Sequence, residues 1–512
     1  WLYVGGSGPG NYSRIQDAIN ASDDGDTVFI YDDSSPYYEI LYINTSIIVR
    51  GENCNTTVLN GNGCQSLVHL NVPSITVQDL TFENCRKGVV SQETDHITIL
   101  HNNFIGMTGD GVQLWWSHNN TIAYNCFKRI QNNAVYLIGG SIETIVGNYL
   151  EGNGYGIVSD DHSVIRNNTV KNTSGYSLVC ADNNIVENNF FENNSGVYLT
   201  SENIIVRNNT LIKDGFFVDW NFIQFSNNTV NGKPIIYSYE PVNQIFDQPA
   251  GQILIVYGHN CTVRNVNFSD TAYGLILEGY RCTIENITTQ NDNAYGLYVS
   301  GSDTTIKSCS ATQSRNGISI NGRIDMINCT ITHVQEVGIK AWYDDSHIRY
   351  CTITDVGQIG IDAAGNNMII DHCIIKNSTH GLVIKIANNM TINYCSIENS
   401  SEQGILINGS NNQISYNSLK NNGLGIDWNG FCSVNHNDFM ENEQSAKYHL
   451  EYGHSLKTQW VDNYWEHPQS KPKIILGKSD ILLFRFGYFK VIFTIPFFGI
   501  DFSPAQAPHT SC

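Results

Sequence analysis

A short repeat runs through most of the chain and constrains its fold more than any other feature. Segments such as "HITILHNNF", "NTIAYNCF", "MTINYCSI" and "CSVNHNDF" share the pattern apolar-x-x-z-x-apolar, and position z recurs every 19 to 23 residues apart from one interruption. Each repeat also carries a Gly-apolar-x-apolar segment, such as "GVYL" at Gly196 and "GILI" at Gly404. Two or three short alternating segments in so few residues predict strands, because the apolar period of a helix would be 3.6.

Strands repeating at this period predict an all-β chain, folded as a right-handed parallel β-helix of about 17–20 coils in which each coil pairs with the next. The ends of such a solenoid need caps, since an open coil exposes unpaired strand edges. At the N-terminus, "YSRIQDAINAS" places Ile15, Ala18 and Ile19 on one helical face. We therefore predict a short N-terminal capping helix and an aromatic-rich C-terminal cap.

The repeat also indicates the domain organisation. We predict an N-terminal cap with the first coils at residues 1–70, a β-helix at 71–455 with an insertion at about 231–258, and a C-terminal cap or interaction segment at 456–512. The last segment contains the apolar stretch Ile481–Phe502. Arg485, Lys490 and Pro496 interrupt it, so covering strands or a partner-binding surface are favoured over a membrane span.

Charge and sequence signals bear on location and partners. The net charge is −20 without a basic block, which argues against nucleic acid and is compatible with bound Ca²⁺; no other cofactor is predicted. No leader precedes "WLYVGGSGPG", so we interpret the chain as mature sequence of an extracellular or cell-surface protein. N-glycosylation signals, which favour that location, occur at Asn11, Asn20, Asn44, Asn55, Asn119, Asn167, Asn172, Asn193, Asn208, Asn227, Asn260, Asn267, Asn286, Asn328, Asn377, Asn389, Asn399 and Asn408.

Position z predicts a stacked ladder of side chains along the β-helix. Asparagines there would hydrogen-bond through their amides from coil to coil, and cysteines would act as small buried residues. The predicted members are Asn102, Asn125, Asn148, Asn168, Asn189, Asn209, Asn228, Cys309, Cys329, Cys351, Cys373, Cys395, Asn417 and Asn437. The five cysteines would be free stacked thiols, one or two disulfides, or a metal site, although a straight column does not make a tetrahedron.

Better disulfide candidates lie elsewhere in the chain. Cys261 and Cys282 match on adjacent coils, and Cys54, Cys64 and Cys85 cluster near the N-terminal cap.

Stacked acids are the strongest candidates for catalysis. Aligning "YGIVSDDHS" with "YSLVCADNN" places Asp161 above Asp182, with Asp160 and His162 beside them. Two carboxylates one coil apart suit a retaining glycosidase or a lyase-type cation site. Such residues at a strand end also make local backbone hydrogen bonds, which is the alternative interpretation.

Outward-facing residues of the Gly-apolar-x-apolar strand offer a binding surface. We expect Lys340 and Asp362 to form a solvated ion pair on adjacent coils. Aromatic side chains on or near this strand could stack on sugars or simply pack: Trp115, Trp116, Tyr136, Tyr198, Tyr298, Trp342 and Trp428.

Several stretches resemble a known group of proteins. "IQDAINASDDGDTVFIYDD" and "NNTVNGKPIIY…AGQILIVYGHNCTVRNVNFS" are similar to β-helix repeat proteins of the carbohydrate-binding and sugar-hydrolase type, related to the copper-binding accessory protein of nitrous oxide reductase. "WVDNYWEHP" and "FGIDFSPAQAP" look like archaeal surface proteins with this repeat. The resemblance implies the fold and an exported location, whereas the scaffold carries many activities.

Three functional hypotheses follow from these features. The first is an extracellular, N-glycosylated structural or adhesive protein, with surface glycans or further copies of itself, bound through Ile481–Phe502, as partners. The second is a secreted polysaccharide lyase or glycoside hydrolase. The third, copper binding, follows from the resemblance, but it needs clustered His, Cys or Met side chains, and five methionines with dispersed histidines give it little support.

Overall fold

The structure is a computed structural model that describes residues 1–219, 222–450, 459–466, 473–486, 489–501, 504–505 and 507–508. The chain divides into two compact units, each built of stacked coils. The first comprises Trp1–Tyr237 and Asp270–Tyr273, and the second Ser238–Ser269 and Gly274–Cys512. With about 20 turns of parallel β-helix in total, the predicted fold class is confirmed. Among the described residues, no helix has the length and apolar character needed to cross a membrane.

Each coil of the first unit contributes strands to three faces, because apolar side chains alternate with polar ones and the buried set points into the coil. The first face is a parallel sheet of eleven strands. Its strands are Leu2–Val4, Thr27–Ile30, Ile48–Gly51, Thr76–Gln78, Thr98–Leu100, Thr121–Ala123, Thr144–Val146, Val164–Arg166, Ile185–Glu187, Ile204–Arg207 and Ile223–Ser226.

The second and third faces of the first unit follow position z and the glycine-led segment, respectively. The second face contains Asn103–Ile105, Cys126–Lys128, Tyr149–Glu151, Thr169–Lys171, Phe190–Glu192, Thr210–Ile212 and Thr229–Val230, the last of which pairs antiparallel with Lys233–Tyr239. The third contains Leu41–Ile43, Val112–Trp115, Asn133–Ser141, Tyr155–Asp161, Leu178–Cys180, Val197–Leu199 and Phe216–Val218. The strands Val58–Leu70 and Thr81–Gln92 continue through both faces.

The second unit repeats the three faces. Its first face contains Ile245–Phe246, Thr262–Arg264, Thr283–Glu285, Thr304–Lys307, Ile324–Ile327, His347–Arg349, Ile369–Asp371, Thr391–Asn393 and Gln459–Val461. The second contains Asn267–Ser269, Thr288–Gln290, Ser310–Thr312, Thr330–Val334, Ser396–Ser400, Ser418–Lys420, Asp438–Met440 and Tyr464–Trp465. The third contains Gln252–His259, Tyr273–Tyr280, Tyr295–Ser302, Asn316–Asn321, Val337–Ala341 and Gln444–Leu450. Four longer strands join two faces: Thr352–Ala363, Ile374–Ile384, Gln403–Ser415 and Leu424–Asn435.

The N-terminal cap is the predicted helix, Ile15–Asn20, and its buried residues are the predicted Ile15, Ala18 and Ile19. The Glu39 carboxylate accepts the backbone N–H groups of Ile15 and Gln16 at 2.9 and 3.1 Å, which satisfies donors that a helix N-terminus otherwise leaves unpaired. A short 3₁₀ helix follows at Asp32–Ser34.

The predicted C-terminal cap consists of strands. Lys473–Phe486 pairs antiparallel with Phe489–Asp501. The predicted self-association through Ile481–Phe502 depends on side chains that lie outside the described part of the chain.

The interior of the first unit is made of stacked like residues. Phe82, Phe104 and Phe127 are fully buried and stack at centroid distances of 4.8 and 4.7 Å on successive coils. Because each coil presents the same residue type to its neighbours, the core is a set of columns that run parallel to the stacking direction.

Position z forms a hydrogen-bonded column beside this core. In the first unit, each asparagine Oδ1 accepts the backbone N–H of the ladder residue one coil earlier, at 2.9–3.0 Å. Each Nδ2 from Asn102 to Asn209 donates to the next Oδ1 at 2.9–3.2 Å. In the second unit, Asn417 Nδ2 donates to Asn437 Oδ1, and Asn437 Nδ2 donates to Asn463 Oδ1. Asn463 is a ladder residue that was not predicted from the sequence.

The five ladder cysteines of the second unit are buried and free. Each Sγ lies 3.3–3.4 Å from the carbonyl oxygen two residues earlier in its own coil. Hydrogen bonds to the adjacent thiols, together with burial, raise the pKa of Cys329 and Cys373. The backbone N–H of Cys395 donates to Asn417 Oδ1 at 2.9 Å, so the thiol column passes directly into the amide ladder.

Candidate functional site

The predicted catalytic acids lie on adjacent coils at the end of the third face of the first unit. Asp160 and Asp161 end the strand Tyr155–Asp161, and His162 follows in a left-handed conformation. The backbone N–H of His162 donates to the carbonyl oxygen of Asp182 at 3.1 Å. This backbone pairing brings the two acidic segments together.

Two of the three carboxylates hold the backbone of a neighbouring coil. Asp160 Oδ2 accepts the N–H of Gly139, and Asp182 Oδ1 accepts the N–H of Glu202 at 2.9 Å. Burial raises the pKa of Asp160, the Gly139 hydrogen bond opposes the shift, and the charge of Asp161 adds to it. These contacts match the local backbone hydrogen bonding that the sequence left open as the alternative to catalysis.

Two exposed tryptophans lie near these acids. Trp115 and Trp116 are 39% and 53% exposed, and their ring centroids are 6.3 Å apart at an interplanar angle of 63°. Lys87 Nζ lies 5.9 Å from the centroid of the Trp115 ring and donates to Gln113 Oε1 at 2.6 Å. The pair therefore presents two differently oriented aromatic faces with a cation beside one of them.

Gly139 connects the tryptophan pair to Asp160. A Cβ at this position would lie 2.1 Å from Trp116 Cδ1, so the indole packs directly on the Gly139 backbone, whose N–H binds Asp160. The residue also has a φ of +75°, which favours glycine. We call Trp115, Trp116, Gly139 and Asp160 the tryptophan–aspartate site.

This combination of groups suits a ligand that is apolar on one face and polar at its rim. Aromatic rings bind apolar C–H surfaces by dispersion and area burial, and a carboxylate accepts hydrogen bonds from hydroxyl groups. A sugar ring has both kinds of surface. Since Asp160 and Asp182 are engaged with backbone amides, the arrangement favours binding over proton transfer.

The second unit also has an exposed tryptophan, Trp342. The predicted ion pair between Lys340 and Asp362, which lies near it, is wrong. Asp362 pairs with Lys385, whose Nζ lies 2.8 Å from Oδ2, whereas Lys340 Nζ lies 4.0 Å above the centroid of the Trp342 ring. Lys385 also reaches to 5.1 Å from that centroid. Two long side chains thus converge on one indole, and Asp362 Oδ1 is buried without a hydrogen-bond partner in the described part of the chain.

Two predicted sugar-stacking residues have other roles. Trp428 is 1% exposed and packs against Trp460 at a centroid distance of 4.8 Å, so its ring is part of the core. The hydroxyl of Tyr198 donates to Asp219 Oδ2 at 2.8 Å. A position on the outward-facing strand therefore does not by itself make an aromatic ring available to a ligand.

A stack of aromatic rings in the second unit escaped the sequence analysis. The rings of Tyr350, His372, Tyr394, Tyr416 and His436 follow one another at centroid distances of 4.8–5.1 Å. The signal was present, because an aromatic residue precedes position z in five consecutive repeats. The faces of the inner rings cover each other, so only ring edges are left for contacts with a ligand.

Four of the five predicted disulfide partners lie close together in two pairs of free thiols, and the fifth, Cys54, is also free. Cys64 and Cys85 are register partners on parallel strands, and their thiols are hydrogen-bonded to each other. Cys261 and Cys282 are likewise hydrogen-bonded. The four cysteines remain disulfide candidates.

Comparison with known families gives two matches. The model of the right handed beta helix region matches residues 316–458. The model described as periplasmic copper-binding protein (NosD) matches residues 19–173 and 221–371, which is more than half of the chain. No curated protein matches the chain in sequence.

Solved structures with similar coils include three carbohydrate-active enzymes. A PL6 family alginate lyase is 13% identical, with 96% of this chain and 98% of that chain covered and a TM-score of 0.34. The catalytic domain of a GH87 alpha-1,3-glucanase is 13% identical, with 77% and 67% covered and a TM-score of 0.27. The A-module of a mannuronan C-5 epimerase from Azotobacter vinelandii is 13% identical, with 84% and 91% covered and a TM-score of 0.25. At this distance the likeness concerns the coil architecture alone.

Proposed function

The chain belongs to the family described as periplasmic copper-binding protein (NosD), and we propose that it is a non-cytoplasmic β-helix protein that binds glycan chains at the tryptophan–aspartate site. One observation carries the proposal. Trp116 is half exposed and packs on Gly139, whose backbone N–H holds the carboxylate of Asp160. Exposed aromatic area thus lies next to a fixed hydrogen-bond acceptor on a rigid sheet.

The rigidity of the site supports binding. Val112–Trp115 pairs in register with strands on both sides, and Gly139 lies in the strand Asn133–Ser141, which is one of these neighbours. Aromatic side chains that are already ordered lose little conformational entropy when a ligand binds.

Charge identifies the class of glycan. The chain carries a net charge of −20, and the acceptor at the site is a carboxylate beside Asp161. A polyanionic glycan would be repelled by this charge, with Lys87 as a single opposing cation at Trp115. We therefore propose a neutral polysaccharide.

The non-cytoplasmic location rests on the family description, which names the periplasm. An extracellular structural or adhesive role with N-glycans is the finer form of the same proposal. The adhesive role can be tested through glycan binding, because an adhesive protein must bind its glycan without cleaving it.

Affinity electrophoresis and calorimetry with a panel of neutral polysaccharides, and alginate as the anionic comparison, test the proposal. Trp116→Ala should weaken binding about tenfold or more, as expected when a central aromatic contact is truncated. Trp1→Ala is the matched control, since Trp1 is 64% exposed and lies outside the site. Unchanged affinity in Trp116→Ala, or binding of alginate alone, would contradict the proposal.

The same material tests the enzymatic alternative. If the wild-type chain shortens a bound glycan and the variant with both Asp161→Asn and Asp182→Asn does not, the protein is a lyase or hydrolase and a purely binding function is wrong. If the glycan is recovered intact after prolonged incubation, binding alone is supported.

A further inference from the structure

Three successive coils of the second unit form a slot at the end of the third face. Their strands end at Ala341, Ala363 and Ile384, each of which is the register partner of the next. The two residues that follow each strand therefore occupy equivalent places on the three coils. These pairs are Trp342 and Tyr343, then Ala364 and Gly365, then Lys385 and Ile386.

The slot is open because the middle pair is small and the outer pairs are large. A Cβ at Gly365 would lie 2.6 Å from the backbone carbonyl of Tyr343, so this position admits no side chain. Trp342 and Tyr343 are exposed on one side of the gap, and Ile386 is exposed on the other. With about 4.8 Å between coils, the two sides lie about 9.6 Å apart. We call this gap the lysine slot.

The width of the lysine slot fits one ring of a ligand. A ring midway between the two sides would lie about 4.8 Å from each, which is within the roughly 4.5–7 Å over which ring systems pack. The aromatic side would contact one face of that ring and the Ile386 side chain the other. A sugar ring would thus bury C–H surface on both faces.

The backbone of Ile386 indicates that its position serves a purpose other than stability. Its φ is +49°, in the left-handed region, where a β-branched side chain is crowded. The side chain is 84% exposed, so core packing does not compensate for this strain. Backbone strain without a return in packing is typical of residues that contact a ligand.

Two ammonium groups supply the charge of the lysine slot. Lys385 Nζ lies 2.8 Å from Asp362 Oδ2 and 5.1 Å from the centroid of the Trp342 ring. Lys340 Nζ lies 4.0 Å from the same centroid, and no carboxylate of the described residues is within ion-pair distance of it. Asp362 therefore holds one lysine in place, and the second is available to an anionic group of a ligand.

Two further acids lie beside the lysine slot but are engaged with the next coil. Asp344 Oδ1 accepts the backbone N–H of Asn366 at 2.7 Å, and Asp345 Oδ1 accepts Asn367 Nδ2 at 3.0 Å. These contacts fix both carboxylates in the turn beyond Tyr343. The groups at the Trp342 ring itself are the two lysines and the buried Asp362.

We propose that the lysine slot binds a uronate residue of an acidic glycan, with the sugar ring between Trp342 and Ile386 and its carboxylate on Lys340 and Lys385. Both ammonium groups lie close to the indole, so the anion must be attached directly to the stacked ring, as it is in a uronate. The net charge of −20 disfavours a glycan charged at every residue, so we expect isolated uronates among neutral sugars. This site is independent of the glycan binding proposed for the first unit.

Ligand-observed NMR titration of the full chain with methyl β-glucuronide tests the proposal, and methyl β-glucoside is the matched neutral probe. Wild type should bind the glucuronide about tenfold more tightly than the glucoside, because only the former has a carboxylate for the lysines. Lys340→Met keeps the apolar stem and removes the charge, so it should reduce this preference. Equal binding of the two probes, or displacement of the glucuronide by acetate at the same concentration, would overturn the proposal.

Ile386→Gly separates binding from folding. Glycine suits the left-handed φ, so the Tm should not fall, whereas loss of the apolar side of the slot should weaken glucuronide binding about tenfold. Ile142→Gly is the control, because Ile142 is another exposed isoleucine with a φ of +67° and lies in the first unit. Glucuronide affinity that is unchanged in both Lys340→Met and Ile386→Gly would refute the site. Trp116→Ala should leave this affinity intact, so the two binding proposals can fail separately.

Discussion

Replacing Asn148 with alanine tests whether the amide ladder stabilises the β-helix or only fills space. Its Oδ1 accepts the N–H and the Nδ2 of Asn125 at 2.9 and 3.1 Å, and its Nδ2 donates to Ile122 O at 2.8 Å and to Asn168 Oδ1 at 3.0 Å. The side chain is 1% exposed, so water cannot replace these partners without entering the core. At about 1 kcal/mol net for each of the four bonds, Asn148→Ala should lower the free energy of unfolding by about 4 kcal/mol.

Urea unfolding followed by circular dichroism measures this loss, and native-state hydrogen exchange locates it. Coils of a solenoid interact mainly with their neighbours, so exchange should accelerate at the N–H of Asn125 well before remote coils respond. Asn132→Ala is the matched control, because this asparagine is exposed and its replacement should change stability by less than about 0.5 kcal/mol. If Asn148→Ala costs no more than this control, the ladder contributes packing alone and the reasoning is wrong.

Two further predictions concern titratable groups. Burial raises the pKa of Glu143 to about 8, although hydrogen bonds from Asn120 act to lower it. The folded chain therefore retains a proton on Glu143 that the unfolded chain releases. Stability should therefore fall as the pH rises from about 5 to about 8, and Glu143→Gln should flatten that part of the profile in thermal unfolding; an unchanged profile would contradict this. Separately, the unfolded, unreduced chain should show at least nine reactive thiols from the thirteen described cysteines in an Ellman titration, because four of them remain disulfide candidates, and fewer than four would refute the free-thiol column.

The period of the repeat was sufficient to predict the coil and the position of the ladder, because each depends on a residue and its equivalent one coil away. The capping helix was predicted separately, from the helical spacing of Ile15, Ala18 and Ile19. The ion pair of Asp362 could not be predicted in this way, because Lys385 reaches it from a different position in the next coil. A long side chain can pair with a residue that is not its register partner on the next coil, so aligning equivalent positions does not predict the pair.

The tryptophan–aspartate site was half visible in the sequence. Trp116 and Asp160 were each singled out, but nothing connected them, since they lie two coils apart at different positions of the repeat. The connection is Gly139, which is part of an irregular register between Asn133–Ser141 and Tyr155–Asp161. A local shift in strand register cannot be predicted from the period of the repeat.

The coil geometry also gives a reason for three of the eighteen glycosylation signals. At Asn167, Asn208 and Asn227 the signal reads Asn-Asn-Thr, and each first asparagine has a φ near +55°, a conformation that asparagine tolerates better than most residues. The second asparagine is the buried ladder residue, and the threonine begins the next strand, where β-branched residues are favoured. The turn favours the first asparagine, the ladder the second and the strand the threonine, and these three preferences together produce the Asn-Asn-Thr signal. These three signals therefore follow from the requirements of the coil, and export must be established by other means, such as glycan mass on the first asparagine and none on the second.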